Sequence, residues 1–148
     1  MAVAEDLDRA TDSKWDWVAE QTRSYLATNG AEGHESNGLY TLLLVTTGRK
    51  TGIPRRTCLI YGTSGDEFVV VASKAGADED PEWFKNLEAE PSVGVQVGDR
   101  RFTARARVAA PDERETLWPQ MARMFPLYDE YAQKTDRVIP IVVLTPRN

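Results

Sequence analysis

Arg49, Lys50, Arg55 and Arg56 fall close together in a chain of net charge −5, and the stretch from Leu39 to Gly65 holds no Asp or Glu. They arrive in the run Thr46-Thr47-Gly48-Arg49-Lys50-Thr51-Gly52-Ile53-Pro54-Arg55-Arg56. Glycines in such a run let backbone N–H groups converge on an anion; Arg adds paired charge-assisted hydrogen bonds, and Lys a point charge. The chemistry is that of a phosphate or carboxylate holder, with a solvated Arg-rich hairpin tip as the plainer alternative. It is not a P-loop, because Arg49 rather than Gly precedes Lys50-Thr51, and no G-x-G-x-x-G occurs in the chain.

Two further groups carry chemistry. Ser73-Lys74-Ala75-Gly76 follows the apolar Val69-Val70-Val71; its small residues admit the edge of a flat ligand, and the Ser73 hydroxyl and Lys74 can bond carbonyls. An ordinary turn is the alternative. Trp83, Phe84, Trp118, Met121, Met124, Phe125, Tyr128 and Tyr131 form an aromatic and thioether set that reads mostly as core. Tyr128 and Tyr131 differ from the rest, because their hydroxyls can wall a pocket and donate to a ligand. His34, the one histidine, sits in a polar loop and makes a poor general base. Cys58 reads as a packed thiol, and Asp78, Glu79, Asp80 and Glu82 as a helix cap plus solvated loop. No Ser/His/Asp, Cys/His or paired-carboxylate constellation and no metal-ligand spacing emerges. An enzyme built on this chain needs a cofactor to bring the chemistry.

The elements that must position these groups are mostly strands. Strands are expected near Leu39–Thr46, Arg56–Tyr61, Glu67–Ser73, Ser92–Val97, Arg101–Val108 and Val138–Leu144. The run Leu42-Leu43-Leu44-Val45 reads as a buried strand that empties into the cationic turn. Ser64-Gly65-Asp66 and Gly98-Asp99 mark hairpins, and Phe102, Ala104 and Ala106 alternate with Thr103, Arg105 and Arg107 as in an antiparallel sheet with one wet face. Helices are expected over Ser13–Thr28, stopped by Asn29-Gly30; after Asp80 as cap with Pro81 in the first turn; and through Leu117, Met121 and Met124, kinked or restarted at Pro119 and ended by Pro126. If the turn after Pro126 is helical, Tyr128 and Tyr131 share a face. The class is therefore mainly β with flanking helices: an antiparallel sheet, closed or nearly so, with helices at its rim.

At 148 residues the chain fits a single domain, with residues 1–38 as an N-terminal helix and loop and residues 39–148 as the barrel and its helices. The acidic remainder argues against a nucleic-acid partner, which would call for a broad basic face. One cysteine excludes an internal disulfide. No stretch resembles a signal peptide or approaches a membrane span, so a cytoplasmic location is expected. Trp15, Trp17 and Tyr25 on the first helix leave three options: packing on the barrel, a lid, or peripheral contact with a membrane.

Taken in order, LLLVTTGRKTGIPRRT, FVVVASKAGADEDPEWFKNLEAEPSVGVQVG, LWPQMARMFPLYDEY and TDRVIPIVVLTP resemble the deazaflavin-dependent nitroreductase family, the flavin/deazaflavin oxidoreductases that use coenzyme F420. The similarity runs from Leu39 to Pro146. It implies a split β-barrel of the FMN-binding type and hydride transfer from reduced coenzyme F420 to a small acceptor, a quinone, an enone or a nitroaromatic compound. It also implies roles by matching position. Gly48, Arg49, Lys50, Thr51, Gly52 and Arg55 would hold the coenzyme's phosphate and acidic tail. Val71, Ala72, Ser73, Lys74, Trp83, Asn86 and Leu87 would line its ring system. Ser73, Tyr128 and Tyr131 would face the acceptor as the catalytic set. Nitro-reducing relatives can carry a tyrosine where this chain has Phe125, which favours quinones or enones here. An FMN-dependent oxidoreductase on the same barrel and a non-catalytic deazaflavin carrier are the alternatives, and a monomer and a homodimer both fit.

Overall fold

The computed structural model describes residues 2–13, 16–36 and 38–147. Among these residues eight strands form one antiparallel sheet: β1 (Glu35–Ser36), β2 (Leu39–Thr47), β3 (Pro54–Ile60), β4 (Gly62–Ser64), β5 (Glu67–Val71), β6 (Ser92–Val97), β7 (Arg100–Val108) and β8 (Ile141–Arg147). Neighbours run β1-β2-β6-β7-β8-β5-β4, and β3 pairs β2. β3 and β4 are one strand bent at Tyr61. Before the bend it pairs β2, from Thr47↔Pro54 to Thr41↔Ile60; after it, β5, through Gly62↔Val69 and Ser64↔Glu67. That switch closes the sheet into a split barrel, as expected.

Alternation along the strands builds the layers. Leu42 and Leu44 turn inward with Phe68, Val70, Ala72, Val93, Val95, Phe102, Ala104, Ala106, Val142 and Leu144. Leu43 and Val45 turn outward beneath Leu7, Ala10 and Tyr25. β2 is thus buried on both faces, which is why its sequence is continuously apolar. On the opposite wall Val69, Val71, Ile141 and Val143 face outward under Leu117, Met121 and Tyr128.

Among the described residues four α-helices accompany the barrel: α1 (Asp16–Ala27), α2 (Glu82–Ala89), α3 (Pro111–Met124) and α4 (Leu127–Gln133). They do not sit at the rim as expected. α1 lies over β3, α3 and α4 over the outer wall of β5 and β8, and α2 sends Phe84 and Leu87 into the barrel interior as a plug. α1 stops at Asn29 (φ 52) and Gly30 (φ 86), where the Gly30 N–H donates to Tyr25 O at 2.8 Å. A Cβ on Gly30 would sit 2.1 Å from the Gly98 carbonyl oxygen, so the helix end meets the β6–β7 hairpin with no room for a side chain.

Several boundaries differ from expectation. Asp80 does not cap α2; Pro81 holds the N-cap position, and the Asp80 carboxylate pairs with Arg137 instead. α3 runs unbroken through Pro119 and does not restart there; the carbonyl that Pro119 frees belongs to exposed Glu115, where water can satisfy it. The last strand begins at Ile141, since Val138 is exposed and Pro140 supplies no N–H. The fifth strand ends at Val71, where Ser73-Lys74-Ala75-Gly76 turns away.

The first helix is bound to the barrel. Tyr25 is fully buried; its hydroxyl donates to Thr41 O at 3.0 Å and accepts from the Gly98 N–H at 2.7 Å, and burial pushes its pKa up to about 12. Neither the lid nor the membrane contact can use Tyr25. Trp17 is exposed, and Trp15 lies outside the described residues. No described helix is long and apolar enough to cross a membrane.

Candidate functional site

The cationic loop 48–53 closes on itself between β2 and β3. The Gly48 N–H donates to Ile53 O at 2.9 Å, and the Gly52 N–H donates to Gly48 O at 2.7 Å with Gly52 at φ 73. A Cβ on Gly48 would lie 2.9 Å from both Ile53 O and Thr51 Oγ1, so the loop is wound too tightly there for a side chain. Among the described residues, the N–H groups of Lys50 and Thr51 have no acceptor and the buried Thr47 Oγ1 has no partner. These are unspent polar groups beside a cationic turn, as an anion holder requires.

The four cations divide into three roles. Arg56 points away from the turn, to Asp12 and to Leu7 O at 2.7 Å, and ties residues 7–12 to β3. Arg49 lies across the start of α2, with Nη1 on Asn86 Oδ1 at 2.9 Å and Nη2 on Glu82 at 2.7 Å. Its hydrogen bond holds the exposed Glu82 carboxyl below the usual carboxylate range. Lys50, exposed, and Arg55, half-buried, form no ion pair with a described residue. They are the charges left for an anion.

α2 is the junction between this turn and the Ser73–Gly76 loop. Asn86 is buried: its Oδ1 accepts from the Arg49 backbone N–H at 3.2 Å as well as the guanidinium, and its Nδ2 donates to Thr46 Oγ1 at 3.3 Å. Just before the helix, Asp80 takes Arg137, whose Nη2 also donates to Ser73 O at 2.7 Å. The Ser73–Gly76 loop passes from Ser73 (φ −78) into three successive left-handed residues, Lys74 (φ 46), Ala75 (φ 54) and Gly76 (φ 82). For Lys and Ala that conformation costs about 1 kcal/mol or more each. It leaves the amides of Ser73, Lys74 and Ala75 without acceptors among the described residues, in the right-then-left backbone pattern that binds anionic or carbonyl oxygens.

The loop packs directly on α4. A Cβ on Gly76 would fall 2.8 Å from Tyr131 O and 3.0 Å from its Cα. Tyr131 is half-buried, with its ring 6.5 Å from that of Tyr128 and 6.3 Å from that of Phe125. Tyr128 is 4% exposed, and burial raises its pKa, helped by Tyr131; its hydroxyl bonds no described residue, yet it is not sealed from solvent. Ser73, Lys74, Tyr131 and the edge of Trp83 are thus accessible. Val71, Ala72 and Leu87 are not: Ala72 and Leu87 face the barrel interior and Val71 the layer beneath α4. Strand and helix periodicity buries these three side chains, Ala72 and Leu87 inside the barrel and Val71 outside it beneath α4.

Two signals were missed in the sequence. Arg137 is the most heavily bonded side chain near the site, yet its partners lie some 60 positions away in the chain. His34 is not idle: its Nε2 is 2.9 Å from the Tyr61 hydroxyl, with the two rings stacked. Two concavities, of 370 and 350 Å³, flank α3, and neither is lined by the cationic loop, the Ser73–Gly76 loop, Tyr128 or Tyr131. The chemistry, not the hollow, marks the site. Among the described residues no cluster of side chains suits a metal ion.

Comparison with known proteins shows the family. The family profile described as F420H(2)-dependent quinone reductase matches residues 17–146. An F420H(2)-dependent quinone reductase of Mycobacterium tuberculosis is 41% identical over 132 residues, spanning 83% of this chain and 85% of that protein. A solved F420-H2 dependent reductase superposes with a TM-score of 0.65 at 37% identity, covering 70% of this chain and 92% of that one. A solved chain described as a domain-swapped dimer superposes at 0.68 with 36% identity, covering 89% and 99%.

Proposed function

The chain belongs to the F420H(2)-dependent quinone reductase family, and on that premise we propose which of its residues run the reaction. It is an oxidoreductase that transfers a hydride from reduced coenzyme F420 to a quinone. The reduced deazaflavin supplies the hydride, and the protein has to orient the two reactants and stabilise the charge that develops on the acceptor oxygen.

The free amides, the unpartnered Thr47 hydroxyl and the unpaired cations fit a coenzyme with an anionic tail. Lys50 and Arg55, with the N–H groups of Lys50 and Thr51, hold the phosphate and acidic tail, while Gly48 and Gly52 allow the winding and Arg49 fixes the turn to α2. The amides of Ser73, Lys74 and Ala75 bond the oxygen edge of the ring system, against Trp83. Tyr131 and the Ser73 hydroxyl face the acceptor and donate hydrogen bonds to its oxygen. Tyr128 stands behind Tyr131; its raised pKa keeps it a neutral donor throughout the physiological range. Phe125 packs 4.9 Å from Tyr128 and brings no hydroxyl, so quinones and then enones are the preferred acceptors, ahead of nitroaromatics.

The observation that carries this reading is the linkage: the turn is held to α2 by Arg49, the loop to the start of α2 by Arg137, and the loop to Tyr131 by Gly76. The test is to mix the pure protein with reduced coenzyme F420 and menadione and follow coenzyme oxidation. Turnover is expected; binding without turnover would leave only the carrier alternative. A homodimer is the assembly supported by the domain-swapped relative, and sedimentation would test it.

A further inference from the structure

We propose that Arg137 is a positioning residue of the coenzyme site: its guanidinium holds the Ser73–Gly76 loop in the left-handed shape that presents three amides to the ring. This rests on the reading that the loop meets the deazaflavin. The side chain is 13% exposed and lies across the loop. Nε donates to Ala77 O at 2.7 Å, Nη2 to Ser73 O at 2.7 Å, and Nη1 to Ala72 O at 3.2 Å and to Asp80 Oδ1 at 3.0 Å. One rigid, planar group therefore spans residues 72–80. Its charge is balanced by Asp80, and its own backbone is fixed by the N–H bond to Thr135 Oγ1 at 3.2 Å.

The loop needs such a brace. Its internal bonds are two, Gly76 N–H to Ser73 O at 2.9 Å and Ala77 N–H to Lys74 O at 3.1 Å, set against two side-chain-bearing residues at φ 46 and φ 54. Arg137 binds the carbonyls on either side of those residues, Ser73 and Ala77, and so favours the strained arrangement over relaxed ones. Lysine cannot replace it, because an ammonium is a point charge without the fork that reaches several carbonyls at once. Losing the brace lowers the fraction of loops in the binding shape, and affinity falls with that fraction.

The test uses the full chain. Arg137→Lys and Arg137→Ala are titrated with coenzyme F420 by fluorescence, with thermal melts alongside. Both should raise Kd roughly tenfold or more, and hydrogen exchange at the Gly76 and Ala77 amides, which carry the loop's two internal bonds, should quicken. Adding Ala75→Gly, which makes φ near +54 free of strain, should restore roughly threefold or more of the affinity lost in Arg137→Ala. Wild-type affinity in a folded Arg137 variant, or a loss that Ala75→Gly does not relieve, overturns the inference. If Arg137→Ala does not fold, Arg137→Lys with and without Ala75→Gly carries the same outcomes. Lys74→Pro separates the two levels, since proline cannot adopt φ near +46. Normal affinity in Lys74→Pro refutes the placement of the coenzyme at this loop. A loss there with none in the Arg137 variants refutes only the role of Arg137.

Discussion

Replacing both unpaired cations, Lys50→Ala and Arg55→Ala, should remove the electrostatic hold on the coenzyme tail while leaving the fold intact. Neither side chain is committed to another described residue, so no buried partner is stranded by their loss. A hydrogen bond to a charged group contributes about 1.5–3 kcal/mol, and exposure at Lys50 places it at or below the low end. About 1 kcal/mol from Lys50 and about 2 kcal/mol from half-buried Arg55 together predict roughly a hundredfold rise in Kd.

The assay is a fluorescence titration with coenzyme F420 at low and high ionic strength, repeated with a truncated deazaflavin alcohol lacking phosphate and glutamate. Screening shortens the reach of surface charges to about 10 Å at 0.1 M salt, so the parent protein should lose affinity as salt rises and the double variant should lose much less. The truncated compound should bind both proteins alike. Glu82→Gln should move the opposite way, because removing the carboxylate 2.7 Å from Arg49 leaves that guanidinium free to join the anion. Undiminished affinity in the double variant at low salt, or an equal loss with the truncated compound, would refute the assignment of the turn.

Tyr131→Phe should lower kcat with a quinone roughly tenfold while leaving the coenzyme Kd unchanged, and unchanged kcat in steady-state assays would remove Tyr131 as a donor. Gly76→Ala puts a Cβ 2.8 Å from Tyr131 O at a backbone φ of 82, so a loss of about 2 kcal/mol or more in denaturant melts is expected, together with weaker coenzyme binding; a neutral result would mean that the loop–α4 contact yields freely. Burial pushes the Cys58 thiol from 9.0 up to about 11. Below pH 9 the folded and unfolded chains are both protonated there; between pH 9 and 11 the unfolded chain ionises and the folded one does not. Stability present below pH 9 is therefore lost by roughly 2–3 kcal/mol as pH rises to 11. Cys58→Ala should flatten that limb of a pH series of urea melts, and an unchanged limb would contradict it.

How far the sequence can be read depends on whether the partner lies nearby in the chain. The hairpins at Gly65-Asp66 and Gly98-Asp99 and the helix stop at Asn29-Gly30 are local backbone demands, and all were legible. Leu42–Val45 was legible as doubly buried because both faces select apolar residues. Arg55 and Arg56 looked alike as members of one basic run, yet neighbours on a strand point to opposite sides, and only Arg55 stays with the turn. Asp80 offered itself as a helix cap until a cation some 57 positions later outbid the backbone. Arg137 was invisible for the same reason, since three of its four acceptors are carbonyls, which no side-chain pattern announces.

The bend at Tyr61 bears on how this protein behaves in a crowded solution. Because one continuous strand hydrogen-bonds β2 with its first half and β5 with its second, neither wall of the barrel ends there in a bare row of amides. Of the described strands with a single partner, Glu35–Ser36 and Gly62–Ser64 are two and three residues long and polar, too short to seed pairing with a neighbouring molecule, and β3 is covered by α1. The kink that joins the barrel's two halves thus also leaves little strand edge open to a neighbouring molecule.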